Sequence, residues 1–141
     1  MKVLVDTSVW STALRRRSKA ALNPAERNAV RELSTLIDEA RASMAGCIRQ
    51  EVLSGIGVES QFQRLRETLQ AFDDLGAGMS TYECAAELFN QCRASGIQGS
   101  QIDFLICAIA REHRVPIFTL DQDFTRYAEV CRVELYRPRD A

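Results

Sequence analysis

Apolar residues occur along this chain in short unbroken runs and in longer stretches where they recur every three or four positions. The first pattern marks strands buried on both faces, the second amphipathic helices. Lys2 to Val5 is such a run, ending in Asp6-Thr7-Ser8, and predicts a strand followed by the cap of a helix over Ser8 to Leu14. A basic loop, Arg15-Arg16-Arg17-Ser18-Lys19, then leads to Asn23-Pro24-Ala25-Glu26. That N-cap, its following proline and the glutamate three positions on predict a helix over 24–40, with Val30, Leu33, Ile37 and Ala40 on its apolar face. Ala42 to Ala45 is a small-residue candidate for a second strand, and Cys47 to Leu53 a helix stopped by Ser54-Gly55-Ile56-Gly57. Phe62, Leu65, Leu69 and Phe72 step by three and four and predict a helix over 59–74.

Leu75 to Met79 is broken by glycine and takes no clear assignment. Ser80-Thr81-Tyr82-Glu83 has the form of a capping box, opening a helix with Ala85, Leu88, Phe89 and Cys92 on one face and Gly96 as terminator. Ser100 caps a further helix carrying Ile102, Leu105, Ile106, Ile109 and Ala110, with Asp103 in its first turn. Val115 to Thr119 is a strand, Asp121 to Tyr127 a loop and short helix, and Val133 to Tyr136 a last strand. Strands alternating with helices in this order predict one α/β domain over 1–141, with a mostly parallel sheet covered on both faces.

The length of 141 residues supports that single domain. Eighteen Lys and Arg balance nineteen Asp and Glu, so contact with a polyanion must be local; sixteen of the cations are Arg, the residue suited to bidentate phosphate contacts. Five cysteines form no CxxC pair and, with one histidine, offer no zinc set; they are expected to be buried thiols in a reducing cytosol. No signal peptide and no apolar stretch long enough for a membrane span is present, so a cytoplasmic location is expected.

The acids carry the candidate chemistry. In an open parallel sheet, ligands bind beyond the carboxyl ends of the strands. Asp6 ends the first strand, Asp121 and Asp123 follow the strand ending at Thr119, Asp103 opens the helix feeding that strand, and Glu51 lies on the helix after the second strand. Asp6, Glu51, Asp103 and Asp121 are 45, 52 and 18 residues apart, so only the fold can bring them together. Two carboxylates ~4 Å apart repel by about 4 kcal/mol at an effective dielectric of 20, so such a crevice calls for a countercharge. Oxygen-only ligands suit Mg²⁺ or Mn²⁺, and phosphodiester hydrolysis is the matching chemistry. Each acid also has a simpler reading: Asp6 as a helix cap, Asp103 as a first-turn acid, Glu51 as a solvated helix residue, and Asp121-Gln122-Asp123 as turn chemistry. Trp10 and the Phe62 to Phe72 stripe fit core packing, and His113 sits at the wrong end of its helix to act as a base beside Asp103.

In ordered series, Val5-Asp6-Thr7-Ser8-Val9-Trp10, Arg49-Gln50-Glu51-Val52-Leu53, Gly96-Ile97 leading to Asp103-Phe104-Leu105-Ile106-Cys107-Ala108-Ile109-Ala110, and Thr119-Leu120-Asp121-Gln122-Asp123-Phe124 cover nearly the whole chain. This series resembles the PIN-domain ribonucleases, most closely the VapC-type toxins of prokaryotic toxin–antitoxin pairs. The resemblance implies a Rossmann-like α/β/α sandwich and metal-dependent RNA cleavage leaving 5′-phosphate and 3′-hydroxyl ends. It also implies a homodimer and a small VapB-type antitoxin whose C-terminal segment blocks the pocket. Position by position, Asp6, Glu51, Asp103 and Asp121 match the acidic quartet and Asp123 an additional acid, while Ser8 and Thr119 match polar residues that support the pocket. Asp6 and Asp121 are assigned as direct Mg²⁺ or Mn²⁺ ligands, and Asp103 and Glu51 as holding metal directly or through water, or orienting the nucleophile. Arg15, Arg16 and Arg17, just beyond the Asp6 strand, are candidates for holding the RNA backbone.

Other classes fit less of the pattern. A haloacid-dehalogenase-like phosphatase needs a second Asp where Ser8 stands, and a receiver domain needs an early acidic pair and a later Lys; a Toprim nuclease leaves Asp6 and Asp103 unexplained. The serious non-enzymatic alternative is a nucleic-acid-binding or regulatory PIN-like domain with little or no cleavage.

Overall fold

The computed structural model describes residues 1–15 and 21–139, so Arg16 and Arg17 of the basic loop lie outside the described residues. At the centre is β1 (Val3–Val5), all three of whose residues are fully buried. It pairs in parallel with β2 (Ala42–Ser43) on one side and β3 (Ile117–Phe118) on the other, in the register Val3 to Ala42 and Leu4 to Ser43, and Leu4 to Ile117 and Val5 to Phe118. A single parallel bridge extends the sheet at each edge, Met44 with Asp74 and Ile117 with Leu135.

Seven helices are formed by the described residues: α1 (Thr7–Leu14), α2 (Pro24–Asp38), α3 (Gly46–Leu53), α4 (Glu59–Leu69), α5 (Met79–Ala94), α6 (Gln101–His113) and α7 (Asp123–Cys131). Helix α1 packs on α2 and α3, and α5 on α6 and α7, with α3 also touching α6. Phe104 to Ala110 of α6 is buried without a break, as befits a helix enclosed on all sides. One buried cluster draws on β1, β3 and all seven helices, with Ala42 of β2 packed against it. The result is the predicted parallel α/β fold.

Capping chemistry sets several boundaries as predicted. Asn23 Oδ1 accepts from the Glu26 amide at 2.8 Å while Glu26 Oε1 accepts from the Asn23 amide at 3.0 Å, with Pro24 at the first helical position. Ser100 Oγ accepts from the Asp103 amide at 3.1 Å. Gly96, at φ +78°, ends α5, and the Ile97 amide reaches back to the Cys92 carbonyl at 2.8 Å.

Elsewhere the structure corrects the predicted boundaries. Helix α2 stops at Asp38 rather than 40, because Ala40 turns into the left-handed region at φ 58°. Helix α4 stops at Leu69 rather than 74: Arg49 donates to the Leu69 carbonyl at 2.9 Å and the Phe72 carbonyl at 2.6 Å and pairs with Asp74, taking over groups that a longer helix would use. Phe72, the last member of the apolar stripe, packs edge-on against Trp10 from outside the helix, with centroids 5.0 Å apart. Ser80 is not a cap, since α5 begins at Met79 with Gly78 as N-cap, and the Thr81 hydroxyl accepts from the Gly78 amide and donates to Glu112. The stretch 133–136 contributes one bridge instead of a strand, and the short helix after Asp121 runs on to Cys131. Of the cysteines, Cys92, Cys107 and Cys131 are buried, whereas Cys47 and Cys84 are only partly so.

Candidate metal centre

Asp6 leaves the carboxyl end of β1 and caps α1, 5% exposed. Three donors converge on its Oδ2: the Ser8 hydroxyl at 2.8 Å, the Thr119 hydroxyl at 2.8 Å and the Ser8 amide at 3.4 Å. The hydroxyls are themselves oriented, because Ser8 Oγ accepts from the Leu120 amide and Thr119 Oγ1 from the Asp121 amide, each at 2.9 Å. Each hydroxyl has one proton, and both protons are directed at Asp6. The loop after β3 is thereby tied to the end of β1 across 111 to 113 residues of sequence.

Asp121 follows directly, and its Oδ1 accepts from the Asp123 amide at 2.9 Å. Asp103, in the first turn of α6, accepts at Oδ2 from the Tyr127 hydroxyl of α7 at 3.0 Å. Burial raises the pKa of Asp103; the hydrogen bond from Tyr127 opposes this, and the charges of Asp6 and Asp121 raise it further. Tyr127 is pushed up in turn, first by burial, then by Asp103, with Asp123 and Asp121 adding to it. Three of the predicted acids, Asp6, Asp103 and Asp121, therefore act on one another at one end of the sheet. Glu51 enters from α3, where its Oε1 accepts from the Thr7 hydroxyl at 2.7 Å. It shares a neighbour with Asp6: the Cys47 thiol is pushed up to about 11 by burial, then by the charges of Glu51 and Asp6.

A family model, that of the PIN domain, matches residues 3–130, a span that takes in all of these acids. The chain belongs to the PIN-domain family. No curated protein matches it in sequence. Among solved structures, FitAcB from Neisseria gonorrhoeae shares its fold with a TM-score of 0.70 at 19% identity, covering 96% of this chain and 97% of that one. VapBC2 from Rickettsia felis, bound to a DNA fragment from its promoter, gives 0.71 at 15%, covering 96% and 98%. VapBC-5 from Mycobacterium tuberculosis, a member of the VapBC family of toxin–antitoxin systems, gives 0.65 at 21%, covering 97% and 99%. At these identities the likeness is one of fold. PIN domains are usually nucleases, and PIN nucleases generally use divalent metal ions.

In this PIN domain the donor set suits such an ion chemically: it consists of carboxylates backed by hydroxyls, and one of its members is held above its ordinary pKa by burial and by its neighbours. The side chains are not drawn into one coordination sphere, since among the described residues no three His, Cys, Asp or Glu stand close enough to hold an ion. Asp123 is exposed and paired with Arg126 at 2.9 Å. Arg49 does not neutralise Glu51, being committed to Asp74 and two carbonyls. His113 is remote, its Nε2 2.8 Å from the Gly76 carbonyl oxygen, and Trp10 is buried with its indole N–H on the Val5 carbonyl.

Arg15 lies beside the site. It shares a cavity of about 530 Å³ with Ser8, Ser11, Thr12, Leu120 and Gln122, and its Nη2 is 3.4 Å from the Ser54 carbonyl. Sequence reasoning missed Thr7, Tyr127 and Gly99, whose lack of a side chain leaves room for the Tyr127 hydroxyl. Thr7 stands inside the Asp6-Thr7-Ser8 run and was open to the same capping logic; nothing local marks Tyr127 as a partner of Asp103.

Proposed function

We propose that this PIN domain is a Mg²⁺- or Mn²⁺-dependent endoribonuclease, the toxin of a VapBC-type pair. The observation that carries the reading is the convergence of Asp6, Asp103 and Asp121 at the carboxyl end of the sheet, close enough for two of them to raise the pKa of the third. Asp6 and Asp121 would hold the ion, with Asp103 and Glu51 completing the set directly or through water. When bound, a divalent cation supplies positive charge at the scissile phosphate and lowers the pKa of an attacking water.

The chain's own residues prepare that chemistry. Ser8 and Thr119 fix Asp6 Oδ2, so the carboxylate rotates little; Thr7 holds Glu51 and Tyr127 holds Asp103. Such fixed orientation is what a site needs to act on a phosphate without reorganising. Arg15, at the rim of the adjoining cavity, is placed to take a backbone phosphate of the RNA. Asp123, held by Arg126, would join the metal set only by leaving that pair. The relatives solved as toxin–antitoxin complexes support an antitoxin partner for this chain, and a homodimer belongs to the same reading. Among the described residues no helix is long and apolar enough to cross a membrane, and we place the protein in the cytoplasm.

The test is cleavage of a total-RNA pool by the purified protein with Mg²⁺ or Mn²⁺, with EDTA, and with Asp6→Asn alongside, mapping the cut ends. The variant keeps an oxygen for Ser8 and Thr119 but removes one charge, so it should melt at a higher temperature in EDTA while losing cleavage. Metal-dependent cuts with 5′-phosphates that vanish in the variant are the expected result. Equal cutting by the variant would overturn the role of Asp6, and metal binding without cutting by either protein would favour a nucleic-acid-binding domain.

A further inference from the structure

One helical turn beyond Asp103 along α6, three thiols from three helices meet in the core. Cys92 lies in the last turn of α5, Cys107 in the middle of α6 and Cys131 at the end of α7, and all three are fully buried. The Cys92 and Cys131 sulfurs are 3.7 Å apart, and Cys107 of α6 is buried beside them. A disulfide needs ~2.05 Å between sulfurs, so a closure of roughly 1.7 Å would join α5 to α7. Cys131 is well placed to give way, being the last residue of its helix and followed by Arg132 in the left-handed region at φ 56°. A cavity of about 350 Å³ lined by Arg111, Arg114 and Arg132 opens at this end of α6 and α7. Hydrogen bonds from Cys107 and Cys92, helped by the Arg111 charge, lower the pKa of the Cys131 thiol against the effect of burial.

We propose that Cys92 and Cys131 form a hydroperoxide-responsive thiol pair that closes to a disulfide tying α5 to α7. In the first step the Cys131 thiol sulfur takes one oxygen of hydrogen peroxide, giving a sulfenic acid and water. In the second the Cys92 sulfur displaces the sulfenic hydroxyl, which leaves as a second water with the Cys92 proton. Two thiols lose two electrons and the peroxide O–O bond accepts them, so atoms and charge balance. Cys107, buried beside the pair, forms no bond to either sulfur. The closure acts on α7 one helical turn beyond Tyr127, but its chemistry does not depend on the nuclease reading.

The experiment treats the reduced full-length protein with hydrogen peroxide, follows folding by circular dichroism, quenches with N-ethylmaleimide in denaturant, and reads intact mass and peptide maps. Expected are retention of the folded spectrum, three labelled cysteines in place of five, a chain lighter by about the two thiol hydrogens once the mass of the labels is subtracted, and one cross-linked peptide joining Cys92 to Cys131. The Cys47→Ser/Cys84→Ser double variant should behave identically, and Cys92→Ala should leave a sulfenic acid at Cys131 that dimedone traps. Five labelled cysteines after treatment, a cross-link that forms only once the folded spectrum is lost, or a map joining any other pair, Cys107 to Cys131 included, overturns the proposal.

Discussion

A methyl group added at Gly99 would stand 2.5 Å from the Tyr127 hydroxyl oxygen, 2.8 Å from its Cζ and 2.9 Å from its Cε1, all closer than side-chain carbons tolerate. Tyr127 cannot swing aside freely, because it is 1% exposed and its ring packs against Phe104 at 5.0 Å and Phe124 at 5.2 Å between centroids. Gly99→Ala should therefore push the hydroxyl away from Asp103 Oδ2. Restricting the unfolded chain would stabilise by about 0.4–1 kcal/mol, whereas overpacking costs about 1–3 kcal/mol and loss of a hydrogen bond to a charged group about 1.5–3 kcal/mol. The unfavourable terms overlap but exceed the gain, and the net loss should be roughly 2 kcal/mol. Tyr127→Phe removes the atom nearest the added methyl and the same hydrogen bond. The two substitutions should then be non-additive, the double variant being more stable than the sum of the singles implies by about 0.5 kcal/mol or more.

Urea unfolding of the four proteins measures that coupling, and carboxyl NMR titration in EDTA reads the second consequence. Burial already raises the Asp103 pKa and the Tyr127 hydrogen bond restrains it, so both single variants should titrate higher still. The sign for stability follows. A folded-state pKa raised above the unfolded one favours the fold at low pH and loses that advantage as pH rises through the folded value, so Tyr127→Phe should cost least in acid and most near neutrality. Wild-type stability in Gly99→Ala together with an unshifted Asp103 titration in Tyr127→Phe would refute the idea that this close approach positions the carboxylate.

Two further outcomes follow from contacts away from the site. Arg49→Lys keeps the charge but loses the planar fork that reaches Leu69 O, Phe72 O and Asp74 together; thermal and urea unfolding should show a loss of roughly 1–3 kcal/mol, and wild-type stability would mean that the end of α4 is set by packing alone. Glu32 is 3% exposed, and although burial opposes its ionisation, Arg139 and Tyr136 hold its pKa below the usual carboxylate value. Its stabilising effect is present above the unfolded pKa and is lost as pH falls through the folded one, so the stability difference between wild type and Glu32→Gln should shrink in acid; a constant difference from pH 7 to pH 2.5 would remove Arg139 pairing as its cause.

What the chain shows of its fold depends on how local each cause is. The box at Asn23, the cap at Ser100 and the stop at Gly96 satisfy backbone groups within a few residues, and all three appear where the sequence predicts them. The end of α4 does not, because the guanidinium that takes its carbonyls arrives from α3, 20 and 23 residues earlier in the chain. The start of α5 also escapes local logic: Thr81 is drawn to Glu112 on α6, and the helix begins one residue before the serine that resembles its cap. The last strand shrinks because Val133-Glu134-Leu135-Tyr136 meets only the end of β3, at Ile117.

The same division runs through the candidate site. Where Asp6, Asp103, Asp121 and Asp123 sit follows from topology, since residues at the carboxyl ends of parallel strands and in the first turns of adjoining helices must lie at one edge of the sheet. Their orientation does not follow from topology. Ser8 is two residues from Asp6 and readable as a cap partner, but its bond to the Leu120 amide, which leaves its proton for Asp6, crosses 112 residues. Tyr127 looks like one more core aromatic on α7, and only the missing side chain at Gly99 lets its hydroxyl stand against Asp103. Asp123 shows the converse: its spacing from Asp121 suggests a ligand, while the arginine one helical turn later gives it a partner of its own. Sequence position therefore decides which carboxylates are available at this edge, and neutral neighbours from distant segments decide which way they face. For that reason Gly99 and Tyr127 are the sharper places to test the site: substituting an acid removes the carboxylate itself, whereas these two leave every carboxylate in the chain and change only what positions one of them.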